Sequence, residues 1–195
     1  GARVHREAFN KLTEEIAPIA RAYVDADPSR YFLDQFDLSW CSDVYSQRVF
    51  SHMKDLFPLE GVKRPVRIIV PFGTGSLFIA AACFLESLPA GKHQLVPVFL
   101  QEPDSSKQVF LAECQTRFPS VRILQSEIPS VMQTQNALRE FSPLFEIPFG
   151  ITSADCVAVA IAHQEQEYDQ AIDIMPMLTD TLLSSEVTYE DSGKT

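Results

Sequence analysis

The chain has 195 residues, 46% apolar and 22% charged, enough for one substantial core with a small extension but not for two large domains. That composition excludes the disordered, collagen-like and disulfide-scaffold classes. The formal charge of -10 is uneven, at -3 over residues 1–60, +2 over 61–140 and -9 over 141–195; so acidic a surface repels phosphate backbones and argues against direct nucleic-acid binding.

The chain opens Gly1-Ala2-Arg3, without Met and without a basic-then-apolar signal pattern, and reads as an excised or processed chain. From Arg6 to Val24, Phe9, Leu12, Ile16, Ile19 and Tyr23 recur at steps of three and four, predicting an amphipathic helix kinked at Pro18. Asp27-Pro28 reads as an N-cap followed by proline in the first helical position, starting a short helix that carries Tyr31, Phe32 and Phe36. A third helix is expected from about Asp43 to Leu56, with Val49, Phe50, Met53 and Leu56 on one side. Residues 1–60 are thus expected to be a helical extension. Its aromatic residues Phe32, Phe36, Trp40 and Phe50 suit either a core or an exposed partner-binding stripe.

At Val66 the pattern changes. Arg67-Ile68-Ile69-Val70-Pro71-Phe72 is short, apolar and β-branched, as expected of a strand buried on both faces. Gly73-Thr74-Gly75-Ser76 follows, and then Leu77 to Leu88 as a helix. Within it, Leu77 to Leu85 is the longest apolar run at nine residues, far below the roughly 20 that a membrane-crossing helix needs. Leu95 to Leu100 reads as a second strand, Ser105 to Phe118 as a helix, Val121 to Leu124 as a third strand and Val131 to Phe141 as a helix. Asp155 to Ala162 reads as a fourth strand, Glu167 to Leu183 as a helix disturbed by Pro176, and 184–195 as an acidic flexible tail. Strand–helix alternation over 61–183 predicts a Rossmann-like α/β domain: a doubly wound, mostly parallel sheet with right-handed crossovers.

Ligands in such sheets bind beyond the carboxyl ends of the strands. The first turn therefore carries the most information: Gly73, Thr74, Gly75 and Ser76 stand where a strand enters a helix, and their backbone N–H groups suit an anion, although the glycines also serve simply to keep the turn tight. The dinucleotide fingerprint G-x-G-x-x-G is incomplete, because its last position is not small, and no Gly-Lys-Ser or Gly-Lys-Thr is present. His163, Glu165, Glu167, Asp169 and Asp173 gather after the expected fourth strand. They meet no standard metal spacing, and with Asp169 and Asp173 on one helix face they read as a solvated acidic surface. No G-x-S-x-G elbow exists, and His5, His52 and His93 fall in the helical prefix or a connection, so no nucleophilic triad is expected. Cys41, Cys83, Cys114 and Cys156 are scattered without a C-x-x-C pair and are expected as reduced, packed thiols of an intracellular protein.

Ile68 to Leu77 resembles the first motif of S-adenosylmethionine-dependent methyltransferases, with Ile69 at the acidic position and Pro71 at the first glycine. That resemblance implies a ribose-binding acid after the second strand, a place held by Glu102. A resemblance covering roughly residues 61–183 is to the PP-loop ATP pyrophosphatases and adenine-nucleotide alpha-hydrolases. Their S-G-G-x-D-S turn is matched by Gly73 to Phe78, with Leu77 for the acid and Phe78 for the final serine, and their Gly-His-x-x-Asp-Asp-x-x-Glu by a stretch that keeps His163. Within that group, Phe57 to Leu77 is similar to the cytoplasmic tRNA 2-thiolation protein 2 family, itself a degenerate member.

An outline kept while its charged positions are lost implies a non-catalytic, structural or regulatory subunit of a hetero-oligomeric complex, linked to RNA modification, cytoplasmic, and needing neither metal nor cofactor. The alternatives are a methyltransferase using S-adenosylmethionine and an adenine-nucleotide-binding module without turnover. For either, the candidate crevice is Gly73, Thr74, Gly75, Ser76, Glu102 and His163, with no residue assigned a catalytic role.

Overall fold

The computed structural model describes residues 13–31, 37–56, 64–89, 93–125, 128–144, 150–166 and 171–175. The chain divides into two compact units, 1–37 and 38–195. In the first, α1 (Thr13–Asp25) contains Pro18; the Arg6–Leu12 part of the expected helix lies outside the described residues. Asp27 does not start a helix over 27–31. Its carboxylate accepts from the Ser29 backbone N–H at 3.0 Å and from the Ser29 hydroxyl at 2.8 Å, closing a turn. Those bonds hold its pKa below the ordinary carboxylate value. Arg30 locks the turn back onto α1 through a 2.8 Å bond to the Tyr23 carbonyl, with its guanidinium 3.9 Å from the Tyr23 ring centroid. Phe32 and Phe36 lie outside the described residues.

The second unit begins with α2 (Leu38–Tyr45), a π-helical turn (Ser46–Phe50) and α3 (Ser51–Leu56). Helix therefore starts five residues before the expected Asp43. Phe50 is buried, with Leu38, Tyr45, Val49 and Met53 packed beside it, so these helices belong to the core of the sheet unit. Trp40 is about half exposed, at 49%.

Strand β1 (Val66–Pro71) leads to α4 (Ser76–Glu86), β2 (Gln94–Val98), α5 (Ser105–Arg117), β3 (Arg122–Ile123) and α6 (Val131–Phe141), close to the expected spans. Asp104 caps α5, its carboxylate accepting from the Lys107 N–H at 2.9 Å. A 3-10 turn (Ser142–Leu144), α7 (Ile151–Gln166) and β4 (Ile172–Ile174) complete the described chain.

Two expectations are corrected here. Residues 155–162 form the middle of α7 and not a fourth strand, and the fourth strand lies at Ile172–Ile174, inside the stretch expected to be helical. The reason is burial: Ala154 and Cys156 to Ala160 are all enclosed, so α7 has no polar face to show a helical period, and a short apolar run reads equally as a buried strand.

All strand pairs are parallel, in the order β3-β2-β1-β4. This is a Rossmann-like α/β arrangement, and the chain reverses its direction of travel across the sheet at β1, leaving a crevice beyond the carboxyl end of that strand. Side chains of β1 alternate. Val66, Ile68 and Val70 face α4 and the α2–α3 segment, while Ile69, with Val96 and Val98, faces Cys156, Val159 and Ala160 of α7. Helix α4 is largely enclosed, with Cys83 and Glu86 left exposed, because the sheet covers one side and Phe50, stacked on Phe84 at 5.3 Å, covers another. Among the described residues no helix is long and apolar enough to cross a membrane.

A polar row crosses the sheet near its amino end. Gln94, Arg67 and Asp173 are register partners on β2, β1 and β4. Arg67 is fully buried and grips Asp173 through two bonds, Nε–Oδ1 at 2.6 Å and Nη2–Oδ2 at 3.3 Å, while Gln164 of α7 donates to the same carboxylate at 3.0 Å. Asp173 is thus an internal counter-ion and not part of a solvated helix face.

Candidate functional site

The β1–α4 turn is built around one backbone conformation. Gly75 has φ +93° and ψ -10°, and it is the N-cap of α4. Only glycine takes that conformation without steric cost, and it carries no side chain to cap the helix. The first N–H groups of α4, at Ser76, Leu77 and Phe78, have no intrahelical partner and no side-chain cap. They carry the positive end of the helix dipole. A packed aromatic group holds the turn in place: Phe72 lies 5.4 Å from Phe78, 5.1 Å from Phe99 and 5.4 Å from Phe110. A Cβ placed on Gly75 would sit 2.8 Å from the Phe110 ring, whereas one on Gly73 meets nothing within 4 Å.

A cavity of about 260 Å³ opens over this turn. Its floor is Gly73, Thr74 and Gly75. Its walls are Pro71, Phe72, Leu77, Val98 and Leu100, with Tyr45 from α2 and Thr152 from the first turn of α7. Two helix amino ends, those of α4 and α7, therefore meet at one cavity, and among the described residues no charged side chain lines it. Ser76 is buried, its hydroxyl 3.2 Å from that of Thr74. The chemistry on offer among the described residues is backbone N–H donation, the Thr74 hydroxyl and the Tyr45 phenol, which suits an anion.

The remaining residues of the expected crevice do not join it. Glu102 is exposed in the β2–α5 connection and borders a separate cavity of about 850 Å³ with Phe99, Gln108, Leu111 and Ile123. It stands apart because that connection leaves the sheet toward the β3 edge. His163 lies in the last turn of α7, about 16 Å along the helix axis from Thr152, because residues 155–162 are helical and carry the chain away from the crevice. The grouping of Gly73, Thr74, Gly75 and Ser76 with Glu102 and His163 is therefore reduced to the turn itself. Among the described residues no three His, Cys, Asp or Glu side chains are placed to hold a metal ion.

Sequence reasoning passed over Tyr45, Thr152 and Asp155, and placed His93 in a connection without a role. Tyr45 and Thr152 carried no signal, since only the packing of α2 and α7 brings them to β1. His93 is structural: its Nδ1 accepts from the Val66 N–H at 3.1 Å, and Nε2 lies 2.9 Å from the Pro89 carbonyl, fixing the start of β1. Asp155 is buried between α6 and α7 and accepts from the Thr134 hydroxyl; burial raises its pKa, and the threonine bond only partly opposes this. Of the thiols, Cys114 and Cys156 are buried and Cys83 is exposed. Burial pushes Cys114 up to about 11, leaving it protonated and unreactive near neutrality.

No family model matches the chain, and neither does any curated protein. Solved structures do match in fold. O-ureido-L-serine synthase, in a mutant bound to O-ureido-L-serine, superposes with a TM-score of 0.59 at 15% identity, covering 94% of this chain and 59% of that one. An L-serine ammonia-lyase from Rhizomucor miehei gives 0.54 at 12% identity over 75% of this chain and 56% of that one. A hydrogen sulfide-producing enzyme from Fusobacterium nucleatum gives 0.54 at 18% identity over 86% and 58%. At such identities the likeness is one of fold, and this chain spans under three fifths of each neighbour's length.

Proposed function

We propose that this chain is a ligand-binding domain without turnover of its own, serving within a larger assembly, and that the β1–α4 turn holds the anionic group of a small phosphorylated ligand. The observation that carries this reading is the uncapped, glycine-started end of α4 at the floor of a cavity that Thr152 of α7 also lines. Backbone N–H groups there offer pre-aimed donors, and two helix dipoles favour negative charge. Among the described residues the cavity walls supply no acid or base beside a nucleophile, which supports binding over catalysis. Its size, below the roughly 300–1,000 Å³ usual for drug-sized ligands, favours a single phosphate on a small body over a dinucleotide.

Elimination from serine, the reaction in one neighbour's name, is chemistry for which pyridoxal phosphate is a common electron sink. The described residues suit the phosphate end of that cofactor. They do not suit its aldehyde end, since no lysine among them lines the cavity, and no catalytic step is derived from it.

The test is a thermal-shift and calorimetric titration with inorganic phosphate, pyridoxal phosphate, AMP, ATP, S-adenosylmethionine and S-adenosylhomocysteine. Phosphate-bearing ligands should raise the melting temperature, with a ligand at a hundred times its Kd adding about 2.7 kcal/mol of stability. Stabilisation by S-adenosylmethionine alone would favour the methyltransferase alternative. No response to any phosphorylated compound would refute the proposal.

A further inference from the structure

Resting on that reading of the cavity, we infer that Tyr45 is its side-chain recognition element, with the phenol hydroxyl donating to the anion that the Gly73–Gly75 turn holds. The segment from Leu38 to Leu56 is continuous helix interrupted only by the π turn Ser46–Phe50, where the Ser51 N–H bonds to the Ser46 carbonyl five residues back. In a regular α-helix, residues five apart point about 140° away from each other. A π turn narrows that angle, bringing Tyr45 and Phe50 toward one side. Phe50 stacks on Phe84 of α4, and Tyr45, one helical turn earlier, lines the cavity at the other end of the same helix. The irregular turn thus serves two demands that a regular helix would set against each other, and π turns are frequent at functional sites for this reason.

The chemistry of the ring agrees with this placement. Tyr45 is half-buried, its ring packed on the core, and its hydroxyl makes no hydrogen bond among the described residues. Much of the rest of the cavity wall is apolar, from Pro71, Phe72, Leu77, Val98 and Leu100. A phenol O–H is therefore the donor that this side of the cavity offers to a phosphate oxygen, complementing the backbone donors of the turn. It also selects the ligand: a phosphate carried on a planar or apolar body can lie against the ring, whereas a strongly charged body meets neutral walls.

The test uses the whole chain and inorganic phosphate as probe, comparing the wild type, Tyr45→Phe and Tyr45→Ala by calorimetry and thermal melting. Tyr45→Phe should weaken phosphate binding by roughly tenfold, with the melting temperature unchanged because the ring and its packing remain. In the wild type, the Tyr45 ring NMR signals, assigned by their loss in Tyr45→Phe, should shift on titration with phosphate. Equal phosphate affinity in the wild type and Tyr45→Phe, or ring signals that stay still while phosphate binds, would overturn the role of Tyr45 and leave the anion site standing. A wild type that binds no phosphate would remove both.

Discussion

Gly75 and Gly73 lie two residues apart in the same turn, yet alanine should disrupt the fold at one and leave it intact at the other. At Gly75 the backbone sits at φ +93°, where an L-residue costs about 1–2 kcal/mol. The new methyl would also approach Phe110 to 2.8 Å. That ring cannot simply move away, because it is packed against Phe72 at 5.4 Å and Phe78 at 6.3 Å. Overpacking of this kind adds about 1–3 kcal/mol, so Gly75→Ala should destabilise the fold by roughly 2–5 kcal/mol. For a domain of this size that lowers the melting temperature by roughly 10 °C. At Gly73 the backbone is unstrained and the methyl meets nothing within 4 Å, so stability should stay within about 0.5 kcal/mol. The same methyl narrows the cavity floor, and phosphate binding should weaken. Circular-dichroism melts with phosphate titration separate the two variants. A Gly75→Ala protein melting within 2 °C of the wild type, or a Gly73→Ala protein that loses as much stability as Gly75→Ala, would refute this account of the turn.

Two further substitutions probe the buried charges. Asp173→Asn removes the carboxylate that fully buried Arg67 grips and should cost up to about 3–5 kcal/mol in urea denaturation, while the double change Arg67→Met with Asp173→Leu should recover most of it; an unchanged midpoint in the single variant would refute a stabilising role for the pair. Asp155 has a raised pKa in the fold, so the folded state prefers its protonated form, and the stability this contributes is present below the ordinary carboxylate range and lost as pH rises through the raised value. Asp155→Asn should therefore be more stable than the wild type at about pH 8, with the gap narrowing toward about pH 5; a difference independent of pH would count against burial as the cause.

From β1 to α6 the architecture was legible because each element carries its own local signal. Strands β1 and β2 are buried on both faces and read as short β-branched runs, glycines mark the turn, and Asp104 announces α5 by capping it. The same local chemistry pointed to Gly73–Ser76 as the place for an anion, since a strand-to-glycine-to-helix sequence contains both the bend and the donors. Locality also sets the limit. Helix α7 is enclosed on nearly every side, and its run of valine and alanine looks alike whether coiled or extended. Strand β4 is three residues long, and its central aspartate is interpretable only beside Arg67, 106 positions earlier in the chain.

Placement of residues around the cavity follows the same division. Tyr45 and Thr152 join the turn because α2 and α7 pack against the sheet, and Glu102 and His163 leave it because their segments exit in other directions. Backbone preference, capping and burial periodicity are properties of neighbouring residues, so the amino-acid order carries them directly. Which distant side chains share a cavity or neutralise each other depends on how the assembled elements dock, and that is settled only when the parallel sheet closes between its two layers of helices.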